Sequence, residues 1–306
     1  MPNYPLPPDL QVRPQRISTA RSVWHYPQDV WGPIWERYGG ESVRIAVLDT
    51  GVSPHPNLPT PIAEASFIRG QSAVVDRNGH GTHVAGSCLG TDGIGGATKS
   101  DLIAVKVLSD QGSGGSDGIA AGTRYAVDQG ADIINMSLGG GSAYRPTLEA
   151  IDYAWSKGCI VLCAAGNAGY NGANTIGWPA KYANALCVGA YRQDGRIANF
   201  SSGGRELDFA MPGQDIVSCS NRGSGFVSMS GTSMATPCAS GLFANIIQAM
   251  RELGKPTWTA AESVRAFGDA FTIDRGTPGK DVRFGYGIPD TPKIIQALSE
   301  LATQGI

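Results

Sequence analysis

The sequence predicts an α/β fold with a doubly wound, mainly parallel central sheet flanked by helices on both faces. Apolar patterns of buried strands alternate along the chain with amphipathic helical patterns, which is typical of parallel sheets. The strand patterns cover residues 43–49, 102–108, 132–136, 159–164 and 185–190. The helical patterns between them include residues 118–129 and 147–157. No linker, charge block or internal repeat divides this pattern, which therefore indicates one domain.

Further elements are predicted before and after these strands. Apolar residues recur at helical spacing over residues 30–38, which predicts a helix. Residues 202–230 are rich in glycine and serine, which predicts short strands and turns. A long helical period begins at Met234, and residues 260–267 and 292–302 predict two more helices.

Residues 1–20 are proline-rich and have no regular period, which predicts an extended arm ahead of a domain over residues 21–306. The arm is either a disordered tail or a short inhibitory or regulatory extension.

Composition excludes several classes of partner. The 306 residues are 42% hydrophobic and 16% charged with a formal net charge of −2, the balance of an ordinary globular protein. That charge provides no basic footprint for nucleic acid and no strong field for a membrane surface. No apolar run approaches the roughly 20 residues that cross a bilayer. We therefore expect no nucleic-acid or membrane partner, and the oligomeric state stays open.

The six cysteines lie mostly in apolar stretches without metal-ligand spacing, which favours buried thiols over disulfides. Prolines also occupy the place of a signal peptide's apolar region, at Pro2, Pro5, Pro7 and Pro8. Both observations predict a cytoplasmic protein, or a secreted one if a leader has been removed.

Polar residues follow three of the predicted strands. Asp49 ends the first, and Ser137 and Asn167 come just after two others. Because parallel sheets bind ligands beyond the carboxyl ends of their strands, these side chains predict a site at that edge.

Ser233 lies where a glycine- and serine-rich turn runs into the long helix. A helix N-terminus carries partial positive charge that favours a developing oxyanion. An N-cap serine is the alternative interpretation of this stretch alone.

The chain has four histidines, of which His80 and His83 lie in one glycine-rich segment. Their spacing of three could suggest zinc, but no glutamate lies between them and no third ligand is near. A serine nucleophile needs a histidine base, a carboxylate that orients the histidine, and donors for the oxyanion. Ser233, His80, Asp49 and Asn167 supply one group of each kind.

Three segments carry a family resemblance: Asp49-Thr50-Gly51, His80-Gly81-Thr82-His83-Val84-Ala85-Gly86 and Gly231-Thr232-Ser233-Met234-Ala235-Thr236-Pro237. In sequence and order they resemble the motifs of the subtilisin-like serine proteases, the subtilases. The resemblance extends from about residue 25 to the C-terminus. It implies that Ser233 is the nucleophile, His80 the general base, Asp49 the orienting carboxylate and Asn167 an oxyanion donor. His83 would be structural, and His55 a surface loop residue.

The resemblance also implies a substrate cleft. Two segments would pair with an extended peptide: Gly112-Ser113-Gly114 and Ser137-Leu138-Gly139-Gly140. The pocket for the side chain before the scissile bond would be formed by Ser137 to Gly139, Ala164, Ala165, Gly166 and residues 175–180 including Gly177. These segments contain no acidic residue, so we expect a roomy, apolar pocket that favours large apolar side chains. Ser116 suggests an open pocket further along.

The chain departs from the family pattern in three places. Many subtilases bind calcium after the histidine motif, but residues 89–97 look shortened and Asn57 stands where aspartate is common. We expect no required cofactor and no metal ligands, although another weak calcium site is possible. The arm resembles the short extensions of intracellular members and could cover the cleft. Cys238 replaces a usual histidine, and we expect it to be packed and chemically unreactive.

Met234 directly follows Ser233 and would be an oxidation site if exposed. The alternative is that it is only a packing residue.

The predicted function is serine endopeptidase activity on peptides or proteins, either in general turnover or in dedicated processing of a precursor or leader peptide. A catalytically silent peptide-binding relative is the alternative from another class. The complete set of Asp49, His80, Asn167 and Ser233 argues against it.

Overall fold

A computed structural model describes residues 3–5, 13–15, 23–256 and 258–303. The strands are β1 (Asn3–Pro5), β2 (Arg13–Gln15), β3 (Arg44–Asp49), β4 (Ala63–Ser66), β5 (Asp101–Lys106), β6 (Ser113–Gly115), β7 (Ile133–Met136), β8 (Ile160–Ala164), β9 (Leu186–Tyr191), β10 (Leu207–Pro212), β11 (Ile216–Cys219), β12 (Phe226–Met229), β13 (Thr272–Ile273) and β14 (Ile288–Pro289). The helices are α1 (Gln28–Arg37), α2 (His80–Leu89), α3 (Ser116–Asp128), α4 (Arg145–Ser156), α5 (Thr232–Glu252), α6 (Ala261–Ala270) and α7 (Thr291–Thr303).

The central sheet has seven strands in the order β10-β9-β8-β7-β3-β5-β4, and every neighbouring pair is parallel. The predicted α/β class and all five predicted strands are confirmed. Strands β7 and β8 are buried at every position, as expected of a sheet covered on both faces. Helices α2 and α5 pack together against the sheet, and α3 and α4 form a second pair.

The edge strands β4 and β10 were not predicted as members of this sheet. Strand β4 reads Ala-Glu-Ala-Ser and has no β-branched residue, so its sequence carries little strand signal. Strand β10 lies in the segment predicted to hold only short strands and turns, and it contains the buried Asp208.

The order of the strands places a crevice at the end of β3. Strand β3 lies between β5 and β7. Strands β4 and β5 lie on one side of it, and strands β7 to β10 lie on the other. Ligand sites of open α/β sheets lie at such switch points. Asp49 ends β3, and His80 and Ser233 lie in the first turns of α2 and α5.

Two small sheets involve the arm. Strand β1 pairs antiparallel with β6, and β2 pairs antiparallel with β12. The rest of the arm predicted over residues 1–20 lies outside the described residues.

The six cysteines are free and buried, in agreement with the thiol prediction. Cys238 is fully buried, and burial raises its pKa to about 12, so a reactive thiolate is disfavoured there. None of the described helices is long and apolar enough to cross a membrane.

Candidate active site

Asp49 and His80 form a buried pair. The two side chains are fully shielded from solvent, and His80 Nδ1 lies 2.7 Å from Asp49 Oδ1. The Thr50 backbone N–H donates to the same oxygen at 2.7 Å. A carboxylate at Nδ1 selects the tautomer that leaves Nε2 free to accept a proton.

Ser233 is the second residue of α5 and is 1% exposed. Its hydroxyl donates to the Ser137 carbonyl at 3.2 Å, and the Ser137 hydroxyl donates to the Ser233 carbonyl at 2.8 Å. His80 Nε2 has no hydrogen-bond partner among the described residues. The serine–histidine hydrogen bond is therefore not formed in this state, and such bonds often tighten only when substrate binds.

A buried chain of hydrogen-bonded polar side chains beneath Ser233 was not predicted from the sequence. Asn135 donates from Nδ2 to the Ser137 hydroxyl at 2.9 Å, and the Ser240 hydroxyl donates to Asn135 Oδ1 at 3.1 Å. This chain fastens α5 to the end of β7. Asn135 lies inside an otherwise apolar strand, Ile-Ile-Asn-Met, and a polar residue at such a position was the available signal.

Asn167 Nδ2 and the Ser233 backbone nitrogen lie beside the same space. The Asn167 Oδ1 atom accepts from Thr232 N at 2.9 Å and from Thr232 Oγ1 at 3.0 Å, which fixes the direction of the amide. A Cβ atom added to Gly231 would lie 3.2 Å from Asn167 Nδ2 and 3.6 Å from Ser233 N. Glycine at 231 therefore keeps the space between these two donors open. Two donors converging on one point can stabilise an oxyanion.

Met234 lies beside this space but is fully buried. Its burial favours the packing alternative over the oxidation site expected for an exposed sulfur.

The predicted peptide-binding edge at Gly112–Gly114 has two glycines that the fold of the chain itself requires. A Cβ at Gly114 would lie 2.0 Å from the Val107 carbonyl oxygen, so no other residue fits without movement. Gly112 has a φ of +77°, which favours glycine. In this structure β1 occupies the same edge, with Tyr4 opposite Gly114 and Pro5 opposite Ser113.

The predicted pocket segments also come together. Gly177 N donates to the Ala165 carbonyl at 2.9 Å, and Gly140 pairs with Trp178 through two 2.8 Å backbone hydrogen bonds. A Cβ at Gly177 would lie 3.3 Å from the Gly140 oxygen, so glycine leaves this space open. The remaining predicted members adjoin these contacts: Ser137, Leu138, Gly139, Ala164 and Gly166.

Of the three histidines outside the pair with Asp49, His55 and His83 were assigned roles from the sequence. His55 is 6% exposed, so the prediction of a surface residue is wrong: its Nε2 lies 3.0 Å from the Gly225 carbonyl, and Nδ1 accepts from Asn57 N. His83 is a buried residue of α2, with Nε2 2.9 Å from the Ile216 carbonyl. Burial lowers the pKa of His83 to about 3.

In the loop predicted to lack calcium, side chains hydrogen-bond to one another. Asn57 Nδ2 donates to Asp92 Oδ2 at 2.8 Å and to Thr91 Oγ1 at 3.1 Å. An amide N–H directed at the carboxylate does not fit a cation at that point. No group of three histidine, cysteine, aspartate or glutamate side chains is placed to hold a metal within the described part of the chain.

One buried cation near the site was also missed. Lys106 is 1% exposed, and its Nζ donates to the Thr50 carbonyl and, at 3.0 Å, to Asp110 Oδ1. It ties the residue after Asp49 to the loop that leads into β6.

Sequence comparisons identify the family and several relatives of this chain. Residues 40–287 match the family described as "Subtilase family". Subtilisin DY of Bacillus licheniformis is 38% identical over 252 residues, which cover 78% of this chain and 89% of that protein. Subtilisin Savinase of Lederbergia lenta is 41% identical over 224 residues, 72% of this chain and 80% of that protein. Thermitase of Thermoactinomyces vulgaris is 38% identical over 248 residues, 79% and 83% respectively.

Proposed function

The chain belongs to the subtilase family and is a subtilisin-like serine endopeptidase, and we propose that Asp49, His80 and Ser233 are its catalytic triad. The observation that carries the proposal is the buried 2.7 Å contact between His80 Nδ1 and Asp49 Oδ1. Ser233 attacks the scissile carbonyl while His80 Nε2 takes its proton. His80 then protonates the leaving amine, and water hydrolyses the acyl-enzyme by the same route.

Asn167 Nδ2 and the Ser233 N–H stabilise the tetrahedral oxyanion. The space held open by Gly231 supports this role, since both donors lie within 3.6 Å of one point in it.

The substrate is a peptide or protein that adds as a strand to Ser113–Gly115 and places a large apolar side chain between residues 137–139, 164–166 and 177. The pairing of β1 with β6 supports strand addition, because it shows that this edge accepts an extended segment. The absence of acidic residues in these three segments supports an apolar preference.

Cleavage-site profiling on a peptide library tests the proposed reaction and preference, with Ser233→Ala as the control. We expect cuts mainly after large apolar residues. Cuts mainly after basic or acidic residues would overturn the pocket assignment. A requirement for one extended sequence would favour the dedicated precursor-processing alternative.

The arm restrains the active site. Strand β1 occupies the β6 edge that the substrate needs, and His80 and Ser233 are at most 1% exposed with β1 in place. Substrate must therefore displace β1, because both use the same backbone groups of Ser113–Gly115.

A peptide of residues 1–20 added in trans tests this restraint on protein that lacks these residues. We expect the truncated protein to be faster and the peptide to inhibit it competitively, while a scrambled peptide of the same composition does not. Equal rates with and without the arm, and no inhibition by the peptide, would contradict the restraint.

The free, buried cysteines support a reducing compartment and hence a cytoplasmic location. Cell fractionation tests it, and recovery only outside the cell would overturn it. We also propose that the Asn57–Asp92 contact replaces calcium at this loop and that activity requires no cofactor.

A further inference from the structure

Asp76 is a buried carboxylate that the triad chemistry does not use. It is 2% exposed and lies four residues before His80. Its Oδ1 atom accepts from Thr50 Oγ1 at 2.8 Å, from Asn78 N at 3.0 Å and from Gly79 N at 2.8 Å. Its Oδ2 atom accepts from Thr82 N at 2.8 Å and from Thr82 Oγ1 at 2.7 Å.

These donors come from the two backbone segments that carry the Asp49–His80 pair. Thr50 directly follows Asp49, whereas Gly79 directly precedes His80. The Thr50 hydroxyl also accepts from Gly81 N at 2.9 Å, so it bridges both segments. The carboxylate of Asp76 is thus the shared anchor of the end of β3 and the start of α2.

Helix α2 depends on this anchor because its own N-cap residue supplies no side chain. The N-cap is Gly79, with a φ of +106° and no side-chain cap. Asp76 takes over that function by accepting from two N–H groups at the start of the helix, those of Gly79 and Thr82. Only the ionised carboxylate can accept on both oxygens from all five donors.

We propose that Asp76 is a positioning residue for the peptidase reaction and holds His80 in register with Asp49. This inference rests on the roles proposed above for Asp49 and His80. Asparagine has the same shape but replaces one acceptor oxygen with a donor, which leaves a buried donor of Thr82 or of the 78–79 turn unpaired. The relative position of the imidazole and the Asp49 carboxylate then loosens.

The test compares Asp76→Asn with Asp208→Asn in the same form of the chain. Asp208 is a matched control: it is fully buried and accepts from Cys187 N and Arg265 Nε, both at 2.9 Å, but it lies on β10 and not at the site. We expect Asp76→Asn to lower kcat by about 10²-fold, the scale of a 1 Å misplacement, with KM within about threefold. The rate of inactivation by a fluorophosphonate should fall in parallel.

A pH profile separates positioning from a purely structural role. Loss of the Asp76 charge and of the fixed Asp49–His80 geometry both disfavour the imidazolium, so the acidic limb of kcat/KM should move to lower pH in Asp76→Asn. Asp208→Asn should keep the wild-type limb and the wild-type kcat per folded molecule.

Folded Asp76→Asn with kcat within twofold of wild type would overturn the proposal, as would an equal loss in Asp208→Asn. If Asp76→Asn does not fold, Thr50→Val removes one donor and should lower kcat by about 5–10-fold, and an unchanged kcat would overturn the proposal. Failure of the triad assignment is distinguishable, because wild-type protein would then form no fluorophosphonate adduct at Ser233.

Discussion

The two sides of the active site differ in charge. The groups bonded to His80 and its loop include two carboxylates, those of Asp49 and Asp76, beside the neutral Thr50 hydroxyl. The groups that hold Ser233 are neutral amides and hydroxyls, namely Ser137, Asn135 and Ser240. Both sides are equally buried, so burial does not explain the difference.

The charges that develop in the proposed mechanism, with His80 as base and Ser233 as nucleophile, explain it. An imidazolium forms on the histidine side, where carboxylates stabilise it. An oxyanion forms on the serine side, where N–H dipoles stabilise it and a carboxylate would repel it. Lys106 places a cation on the histidine side, but the Asp110 carboxylate is paired with it and balances its charge.

Removing the reacting group on either side should have the largest effect. We expect Ser233→Ala and His80→Ala to lower kcat by about 10⁶-fold, and Asp49→Ala by about 10⁴-fold, the scale measured for these positions in subtilisin. Steady-state rates on one peptide check this. The double variant Ser233→Ala/His80→Ala should be no slower than either single variant, and additive losses would indicate that the two residues act independently.

A negative charge placed on the serine side should oppose the oxyanion. Asn167→Asp keeps an oxygen that accepts from Thr232 N, but it replaces the Nδ2 donor with a negative charge. We expect kcat to fall at least as far as in Asn167→Ala, by about 10²–10³-fold, with the melting temperature closer to wild type. Kinetics and thermal melts of both variants measure this. Equal kcat in Asn167→Asp and wild type would remove Asn167 from the oxyanion site.

The histidine side should also carry acid sensitivity. His25, just before α1, is buried and its charge would interact with that of His83. Burial lowers the pKa of both histidines to about 3, so between pH 6.5 and 3 the unfolded chain binds more protons than the folded one. Stability is therefore lost as the pH falls below about 6.5, by about 2–3 kcal/mol per histidine at pH 4.5. Denaturant unfolding from pH 7 to 4.5 checks this. The slope should be shallower in His25→Gln, and an unchanged slope would contradict the prediction.

The neutral chain under Ser233 should have a smaller effect. Ser137→Ala removes the hydroxyl bonded to the Ser233 carbonyl and leaves Asn135 without an acceptor for Nδ2. One such hydrogen bond corresponds to up to about tenfold in kcat/KM. Ser156→Ala, on the exposed side of α4, is the control and should match wild type. Similar rates in both variants would show that the hydrogen-bonded side chains of Ser137, Asn135 and Ser240 only stabilise the fold.

Calcium should have the smallest effect. Because Asn57 donates to Asp92, we expect chelator to leave the melting temperature unchanged. In Asn57→Asp two carboxylates would face each other, and calcium should then raise the melting temperature. A chelator-induced drop in wild-type protein would indicate a different calcium site.

The sequence predicts the parts of this molecule that have local signals. Long apolar runs predict the five inner strands, and three short motifs predict Asp49, His80 and Ser233. Strand β4 is missed because tertiary pairing overrides its weak propensity. Asp76 and Asn135 are missed, and the prediction for His55 is wrong. Each depends in part on a partner distant in sequence: Thr50 for Asp76, Ser240 for Asn135 and Gly225 for His55.

The proposed mechanism requires Ser233 to be a nucleophile that His80 activates. The most direct measurement is peptide mass spectrometry of protein treated with a fluorophosphonate. We predict a single adduct on Ser233 in wild-type protein and almost none in His80→Ala. Folded wild-type protein with no adduct, or with an adduct on another residue, would contradict the claim.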